Sequence, residues 1–162
     1  MYRSTKKYGH ELGLSACFRQ HRATHSHCSL LHGYALAFTF VFEAETLDGC
    51  NWVQDFGGLK ELKERLQKTF DHKLLVAEDD PHKDELCGLA GLGLADVLVV
   101  GAVGCEAFAR MAYDMARGVI GRSNEDEWRN DRTLAKRLRP DRVRIVSVEC
   151  AEHSGNSAIY KP

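Results

Sequence analysis

The segment ALAFTFVF, residues 35–42, alternates bulky side chains with smaller ones along its whole length. A period of two is the period of a β-strand, whose successive side chains point to opposite faces of a sheet. Here both sets are largely apolar, and a strand with two apolar faces is covered on both sides. The segment therefore predicts a central strand around which the rest of the chain must pack.

Three further segments predict strands. Residues 8–19 can form a partner upstream of the central strand, with the histidine-rich stretch as a long connection between the two. Near the C-terminus, residues 142–149 and 157–160 are rich in β-branched and aromatic side chains, and the turn-rich sequence EHSGN lies between them. The chemistry of the histidine-rich stretch is thus expected at a strand junction.

Two segments have the spacing of amphipathic helices. The first has its apolar residues three and four positions apart, with Asp55 placed as a cap; they are Leu59, Leu62, Leu66 and Phe70. The second begins near Gly104 and ends near Gly121. These patterns predict one helix before residue 71 and another before residue 122.

The order of two strands, two helices and two strands predicts an α+β fold, written ββααββ, with an antiparallel sheet that carries the helices on one face. A chain of 162 residues fits a single domain over residues 1–162. Residues 77–101 predict a loop that returns through a short apolar, extended piece. Residues 123–140 are dense in charge and predict a solvated loop or a short surface helix.

Charge and hydropathy argue against nucleic-acid binding and against a membrane span. The chain has 22 basic and 23 acidic residues and a net charge of −1, so no basic footprint for nucleic acid is expected. The N-terminus lacks the apolar core of a signal peptide, and no segment approaches the roughly 20 apolar residues of a membrane span. We expect a cytoplasmic protein with no membrane partner, whose six scattered cysteines remain thiols.

Cys28 lies four residues before His32 in the stretch HSHCSLLHGY, residues 25–34. The thiolate is the reactive form of cysteine, and a nearby imidazole or metal ion favours it. Cys28 is therefore a candidate nucleophile or base, although a small buried thiol is the commoner role of a cysteine.

The same stretch is rich in potential metal ligands. His25 and His27 are two residues apart, so their rings lie on one side of an extended chain, and His21 and His32 flank them. Three such ligands and an open position make a catalytic zinc site. The alternative is a set of exposed loop histidines.

Carboxylates occur at two further candidate functional sites. Asp71 can orient the imidazole of His72 for proton transfer if a turn brings the two side chains together, or His72 can be a favourable cation at a helix C-terminus. Glu149 and Glu152 flank a strand end near EHSGN. A carboxylate there can accept hydrogen bonds from the polar edge of a ligand ring, or it can face water.

The chain contains, in this order, the pieces LSACFR, CSLLHGY, NWVQDFGGLK, FDHK and GCEAFARMAYD, followed by Glu152 before the last strand. In this order they resemble the family of 6-pyruvoyltetrahydropterin and 6-carboxytetrahydropterin synthases. The resemblance covers most of the chain. It implies a tunnelling fold, in which subunits assemble into an oligomeric barrel, expected as a hexamer made of two trimers, with active sites between subunits.

The resemblance also implies a lyase that acts on a small molecule, 7,8-dihydroneopterin triphosphate or a related dihydropterin. Cys28 would be the base and acid that acts on the substrate side chain. Asp71 and His72 would form a proton relay that reaches the cysteine across an interface. Glu152 would hold the amino-pyrimidine edge of the pterin, and Glu106 would support it.

The chain departs from the family pattern at the zinc ligands. Phe18 and Tyr34 stand where the family has its first and third zinc histidines, and only His32 is retained. Shifting the first match by one would place Cys17 there, but it spoils the agreement of LSA. Either His27, with His25 or His21, rebuilds a zinc site around His32, or the chain works without zinc.

If the chain works without zinc, a different pterin reaction is favoured, or a pterin- or purine-binding protein without lyase activity on the same fold. A protein that uses the barrel only for assembly is a further alternative.

Overall fold

The computed structural model describes residues 1–121 and 142–162 as an alternation of strands and helices. Its strands are β1 (Tyr2–Tyr8), β2 (Leu14–Phe18), β3 (His32–Ala44), β4 (Lys73–Ala77), β5 (Asp96–Val100), β6 (Arg144–His153) and β7 (Asn156–Tyr160). Its α-helices are α1 (Lys60–Phe70), α2 (Lys83–Gly91) and α3 (Cys105–Gly121). The prediction for residues 123–140 lies outside the described residues.

Strand β3 is the centre of the sheet, as the alternating segment predicts. On one edge it pairs antiparallel with β2 along its first half and with β1 along its second half, and on the other edge it pairs antiparallel with β6. Phe38, Phe40 and Phe42 have no exposed surface. Thr39 and Val41 on the opposite face are half-buried, so a single chain covers only one face of this strand completely.

The helix predictions near residues 59–70 and 104–121 are confirmed by α1 and α3. Phe70 of α1 packs on Phe38 with ring centroids 4.9 Å apart, and Phe108 of α3 meets Phe70 edge to face at 5.4 Å. Asp55 acts as a cap, because its carboxylate accepts a hydrogen bond of 2.8 Å from the backbone N–H of Gly57. It caps a 3₁₀ turn, Phe56–Leu59, that leads into α1.

The upstream strand predicted at residues 8–19 is wrong in its extent, because β2 covers only Leu14–Phe18 and a separate strand, β1, ends at Tyr8. A 3₁₀ turn, His10–Leu12, separates β1 from β2, and Gly13 ends that turn with a φ of 71°. A left-handed backbone conformation of this kind favours glycine. The break lets β1 and β2 pair with different halves of β3.

The sheet is mixed, whereas the sequence predicts an antiparallel one. Strand β4 runs parallel to β2, and β5 runs parallel to β4. Helix α2 connects β4 to β5, so residues 77–101 contain a helix where a loop is predicted, and their short apolar, extended piece is the strand β5. The α+β class is confirmed, and among the described residues no helix is long and apolar enough to cross a membrane.

One buried ion pair anchors the loop between β2 and β3, which carries Cys28. Arg19 donates two hydrogen bonds to the carboxylate of Asp80, of 2.8 Å from Nε and 2.7 Å from Nη2. The side chain of Asp80 is only 1% exposed. The backbone N–H of Gln20, the residue after Arg19, donates to the carbonyl of Cys28 at 2.7 Å, so this hydrogen bond joins two parts of the loop next to the ion pair.

Replacing Asp80 by Asn is expected to lower the free energy of unfolding by about 2 kcal/mol at neutral pH. The hydrogen bonds from Arg19 lower the pKa of Asp80 to about 2. Since an unfolded aspartate has a pKa of about 3.9, this stabilisation is complete above that value and is lost as the pH falls through about 2. Urea unfolding of both proteins between neutral and acidic pH measures the difference.

Asp79→Asn is the matched control. Asp79 binds Arg22 at 2.6 Å, but both side chains are largely exposed, at 51% and 80%. Exposed ion pairs contribute about 0–1 kcal/mol, so this substitution should change stability little at any pH. Equal effects of the two substitutions would contradict the anchoring role of Asp80.

Candidate functional site

A cavity of about 180 Å³ lies where the β2–β3 loop, the start of α3 and the β6–β7 hairpin meet. Four residues predicted from the sequence line it: Cys28, His32, Glu106 and Glu152. They come from four different parts of the chain. The fold therefore collects an imidazole, a thiol and two carboxylates around one small space.

Strand pairing places an aromatic cluster beside this cavity. Phe18, the last residue of β2, pairs with His32, the first residue of β3, and Tyr34 lies two residues further along β3 on the same face. The ring centroids of Phe18, His32 and Tyr34 are 5.2 to 6.1 Å apart. The three positions that carry zinc histidines in the family thus converge, but two of them carry a phenylalanine and a tyrosine.

The remaining histidines do not rebuild the zinc site among the described residues. His25 and His27 line a separate surface hollow together with Ser29 and Leu30. His32 has one ring nitrogen, Nδ1, 2.7 Å from the carbonyl oxygen of Leu30. Within residues 1–121 and 142–162, no three His, Cys, Asp or Glu side chains are placed to hold a metal ion. The predicted set of His25, His27 and His32 therefore does not fit a three-ligand zinc site.

His21 also lies apart from the cavity. Its ring nitrogens are 4.0 Å from a carboxylate oxygen of Asp79 and 3.9 Å from one of Asp80. The structure thus places His21 at the ion pair that anchors the loop.

Asp71 and His72 form a hydrogen-bonded pair at the turn between α1 and β4. Nδ1 of His72 is 2.7 Å from a carboxylate oxygen of Asp71, and His72 has a left-handed backbone with a φ of 55°. A non-glycine residue in this conformation is uncommon and is held by its surroundings. The His72 side chain is 85% exposed, and neither residue is among the described residues that line the cavity.

A β-bulge directs Glu152 into the cavity. In the β6–β7 hairpin Ala151 pairs with Ser157 and His153 pairs with Asn156, so Glu152 is an extra residue between two paired positions. Bulges of this kind re-aim a side chain. The side-chain amide of Asn156 donates a 2.8 Å hydrogen bond to Glu152, which fixes the carboxylate.

Cys28 lies at the exposed end of the cavity, in a 3₁₀ turn formed by His27–Ser29. Ser26 caps the turn, because its hydroxyl oxygen accepts a 3.2 Å hydrogen bond from the backbone N–H of Cys28.

Burial, helped by the negative charge of Glu152, raises the pKa of Tyr34. At neutral pH the Tyr34 phenol therefore keeps its proton and can donate a hydrogen bond.

The cavity contains one functional group that the sequence analysis did not single out. Cys105, the first residue of α3, is half-buried and lines the cavity beside Glu106. Its contact with Cys150, on β6, lowers the pKa of Cys105. The predicted helix start near Gly104 is the one signal in the sequence, since thiols at helix N-termini ionise more readily.

This arrangement suits proton transfer to a planar polar molecule. The two carboxylates can accept hydrogen bonds from the N–H groups of a ring edge. The two thiols can exchange protons with atoms of the same ligand. A cavity of about 180 Å³ is below the roughly 300–1,000 Å³ of drug-sized pockets, so it fits the ring of such a molecule and leaves a long side chain outside.

Comparison with solved structures finds the same fold in several proteins. An uncharacterised protein from Wolinella succinogenes is 18% identical, with a TM-score of 0.75, and the match covers 99% of this chain and 97% of that one. The 6-pyruvoyl tetrahydropterin synthase of Plasmodium vivax is 14% identical, with a TM-score of 0.62 and coverage of 100% and 99%. That of Plasmodium falciparum is 13% identical, with a TM-score of 0.60 and coverage of 99% and 98%.

The comparison with family models shows the family of the chain in addition to its fold. No curated protein matches the sequence. The family model described as 6-pyruvoyl tetrahydropterin synthase matches residues 9–162, which is nearly the whole chain. The predicted tunnelling fold is confirmed by this match together with the structural neighbours. The chain belongs to the 6-pyruvoyl tetrahydropterin synthase family.

Proposed function

We propose that the protein is a lyase of the 6-carboxytetrahydropterin synthase type that acts on 7,8-dihydroneopterin triphosphate or a closely related dihydropterin. The observation that carries this proposal is the cavity in which Cys28, Glu106 and Glu152 face the same space. Family membership supports a role in tetrahydropterin chemistry. The six cysteines are free thiols, which fits the reducing cytosol in which we propose that it works.

In this proposal Glu152 binds the amino-pyrimidine edge of the pterin. Two adjacent N–H groups of that edge donate to the two carboxylate oxygens, and Glu106 supports the contact from the first turn of α3. The Asn156 hydrogen bond and the bulge keep Glu152 in position before the ligand arrives. Less conformational freedom is then lost on binding.

Cys28 acts on the substrate side chain, which leaves the cavity on the exposed side. Its thiolate removes a proton from a side-chain carbon, so a C–H bond breaks and an S–H bond forms. The electron pair passes into the conjugated dihydropterin ring and then expels the triphosphate, whose carbon–oxygen bond to the side chain breaks as it leaves with the electrons of that bond. The resulting thiol gives its proton to the departing oxygen, which makes Cys28 both base and acid.

The relay pair Asp71 and His72 acts on the Cys28 of a neighbouring subunit. Both lie outside the cavity of their own chain, and the imidazole is almost fully exposed. A homo-oligomer, as a hexamer of two trimers, would bring the pair to a second chain. The half-buried face of β3, at Thr39 and Val41, is consistent with further burial on assembly.

The reaction is proposed to proceed without the zinc ion of the family. Phe18 cannot bind zinc, tyrosine is a rare ligand, and the described histidines do not converge. The substrate charge must then be stabilised by hydrogen bonds, for which the Tyr34 phenol and the cavity thiols are available.

A second function, zinc-independent binding of a pterin or purine without lyase activity, is favoured by the aromatic cluster. Phe18, His32 and Tyr34 supply ring surface where the family has metal ligands. In that case the ligand binds and is released unchanged. Turnover of 7,8-dihydroneopterin triphosphate by the wild-type protein distinguishes the two functions.

Glu152→Gln is expected to weaken pterin binding by about 10- to 100-fold, because a hydrogen bond to a charged group contributes roughly 1.5–3 kcal/mol. Quenching of pterin fluorescence on titration with 7,8-dihydroneopterin measures the affinity. Glu149→Gln on the same strand is the control and should bind as the wild type does. An unchanged affinity of Glu152→Gln would contradict the assigned role.

Cys28→Ala is expected to lower turnover by about 10²-fold or more while leaving pterin affinity unchanged, since it removes an acid–base group and no binding group. His72→Ala should likewise lose turnover. Cys50→Ala, which changes an exposed cysteine outside the cavity, is the control.

Co-expression of Cys28→Ala and His72→Ala chains in one cell tests where the relay acts. Mixed oligomers contain some sites with both wild-type residues only if the two come from different chains. Partial recovery of turnover is therefore expected. Mixed oligomers as inactive as each parent would contradict a relay between subunits.

Treatment with a strong chelator is expected to leave turnover unchanged, and added Zn²⁺ should not increase it. The measurement is turnover together with the zinc content of the protein before and after treatment. Activity that is lost with the chelator and restored by Zn²⁺ alone would show that a zinc site forms in the assembled enzyme.

A further inference from the structure

Gln20 lines the cavity from the β2–β3 loop. Its backbone is fixed by two hydrogen bonds: its N–H donates to the carbonyl of Cys28 at 2.7 Å, and its carbonyl accepts from the N–H of Ala23 at 2.9 Å. Both bonds are made by main-chain atoms, so they do not depend on the side chain. The half-buried side chain can therefore serve a ligand without changing how Cys28 is held.

The side-chain amide of Gln20 is oriented by the turn that precedes α3. Its Nε2 donates a 3.2 Å hydrogen bond to the carbonyl oxygen of Val103. A carbonyl oxygen only accepts hydrogen bonds, so the amide cannot turn its own oxygen toward Val103 without losing this bond. The protein thus sets the orientation of the amide before any ligand binds.

The backbone at Gly104 makes room for this amide. Gly104 has a φ of 111°, which favours glycine, and a Cβ atom at this position would overlap Nε2 of Gln20. A methyl group here would push the amide out of place. Gly104 lines the same cavity, so the amide and the turn together form one wall of it.

This amide supplies a hydrogen-bond donor in a cavity that also contains carboxylates. A primary amide has two N–H groups, so one binds Val103 and one remains for a ligand. Glu106 and Glu152 accept hydrogen bonds when ionised and donate none. Asn156, a second side-chain amide in the cavity, directs an N–H group to Glu152. A ring that presents N–H groups to a carboxylate and a carbonyl oxygen to Gln20 therefore matches this arrangement.

We propose that Gln20 is a specificity-determining residue of this site, whose second N–H donates a hydrogen bond to a carbonyl oxygen of the ligand ring. The ring class is one in which this carbonyl adjoins the N–H that Glu152 binds, as in pterins and guanine. A ring with an amino group in place of the oxygen brings a donor to a donor. The bond to Val103 opposes the flip that would turn the amide oxygen to that group, so such a ring should bind about 10-fold or more weakly.

The kind of ring rests on the proposed function, whereas binding is measured without turnover. The probes are 6-hydroxymethylpterin and 2,4-diamino-6-hydroxymethylpteridine, in which an amino group replaces the ring oxygen. Quenching of their fluorescence on titration with the protein gives a Kd for each, and the ratio of the two is the preference for the oxo ring. The rings also differ in the proton on the nitrogen that Glu152 contacts, so the change in this ratio between variants reports on Gln20.

Gln20→Met has nearly the same length but no donor, and it is expected to lower the preference for the oxo ring by about 10-fold. Gln20→Glu keeps the shape, replaces the donor by an acceptor and should lower the preference further. Gly104→Ala should act in the same direction by displacing the amide, with no additional effect on the ratio in a Gln20→Met background. The control is Gln67→Met, which changes a half-buried glutamine of α1 outside the cavity and should leave the ratio as in wild type.

An unchanged ratio in Gln20→Met and Gln20→Glu, with both variants folded and binding the pterin, overturns the proposal. So does a ratio that changes equally in Gln67→Met. A wild-type protein that binds the two rings without turnover overturns the lyase function alone, and the ratios still decide the role of Gln20. A wild-type protein that binds neither ring overturns both proposals.

Discussion

Three phenylalanines on one face of β3, none with any exposed surface, join the sheet to its two long helices. From Phe38 the contacts continue to Phe70 of α1, then to Phe108 of α3, and then to Phe18 at the end of β2, with ring centroids 4.9 to 5.4 Å apart. Phe18 in turn contacts His32 at the cavity wall. Because interiors are close-packed, this line of rings transmits the geometry of the core to the site.

The same line of rings explains how the chain accommodates the loss of the zinc ligands. A histidine at position 18 without a metal would be a polar group at a site that is only 3% exposed, and burying such a group without a partner is costly. Phenylalanine removes that cost and extends the core by one ring. The imidazole of His32 keeps a partner in the carbonyl of Leu30. In the proposed zinc-independent function, apolar packing takes the place of the metal centre of the family, and the polar groups of the site are the thiols and carboxylates that line the cavity.

The sequence predicts those features that depend on local periodicity. The central strand and the two long helices follow from the spacing of phenylalanine and leucine, which burial in one core enforces. The break between β1 and β2 depends on a turn at Gly13, and the strand-helix-strand unit from β4 to β5 has apolar runs too short to show a period. His25 and His27 are close in sequence to His32 but lie on another surface of the loop, since a turn and not an extended chain connects them.

The site residues also divide into those that a sequence motif predicts and those that only tertiary packing brings together. Cys28, Glu106 and Glu152 were predicted because they match motifs of a family, and the fold brings them to one cavity. The orientation of Glu152 depends on a bulge, which is a property of pairing between β6 and β7. Cys105 and Cys150 are distant in the sequence and meet only because α3 packs on β6. Contacts of this kind are set by tertiary packing and leave no local pattern.

The two thiols of the cavity are held in different ways, and this difference matters for what each can do. Cys28 is on a loop held by the ion pair of Arg19 with Asp80 and by the hydrogen bond from Gln20 to the carbonyl of Cys28, so its position depends on a few polar contacts. Cys105 is fixed as the first residue of a helix that buries Phe108 and Ala112. A residue that follows a substrate side chain through several bond changes benefits from some freedom. In the proposed function, groups that bind the ring must instead be in place before the ligand arrives, and Glu106, in the first turn of the same helix, and Glu152, which accepts a hydrogen bond from Asn156, have such support.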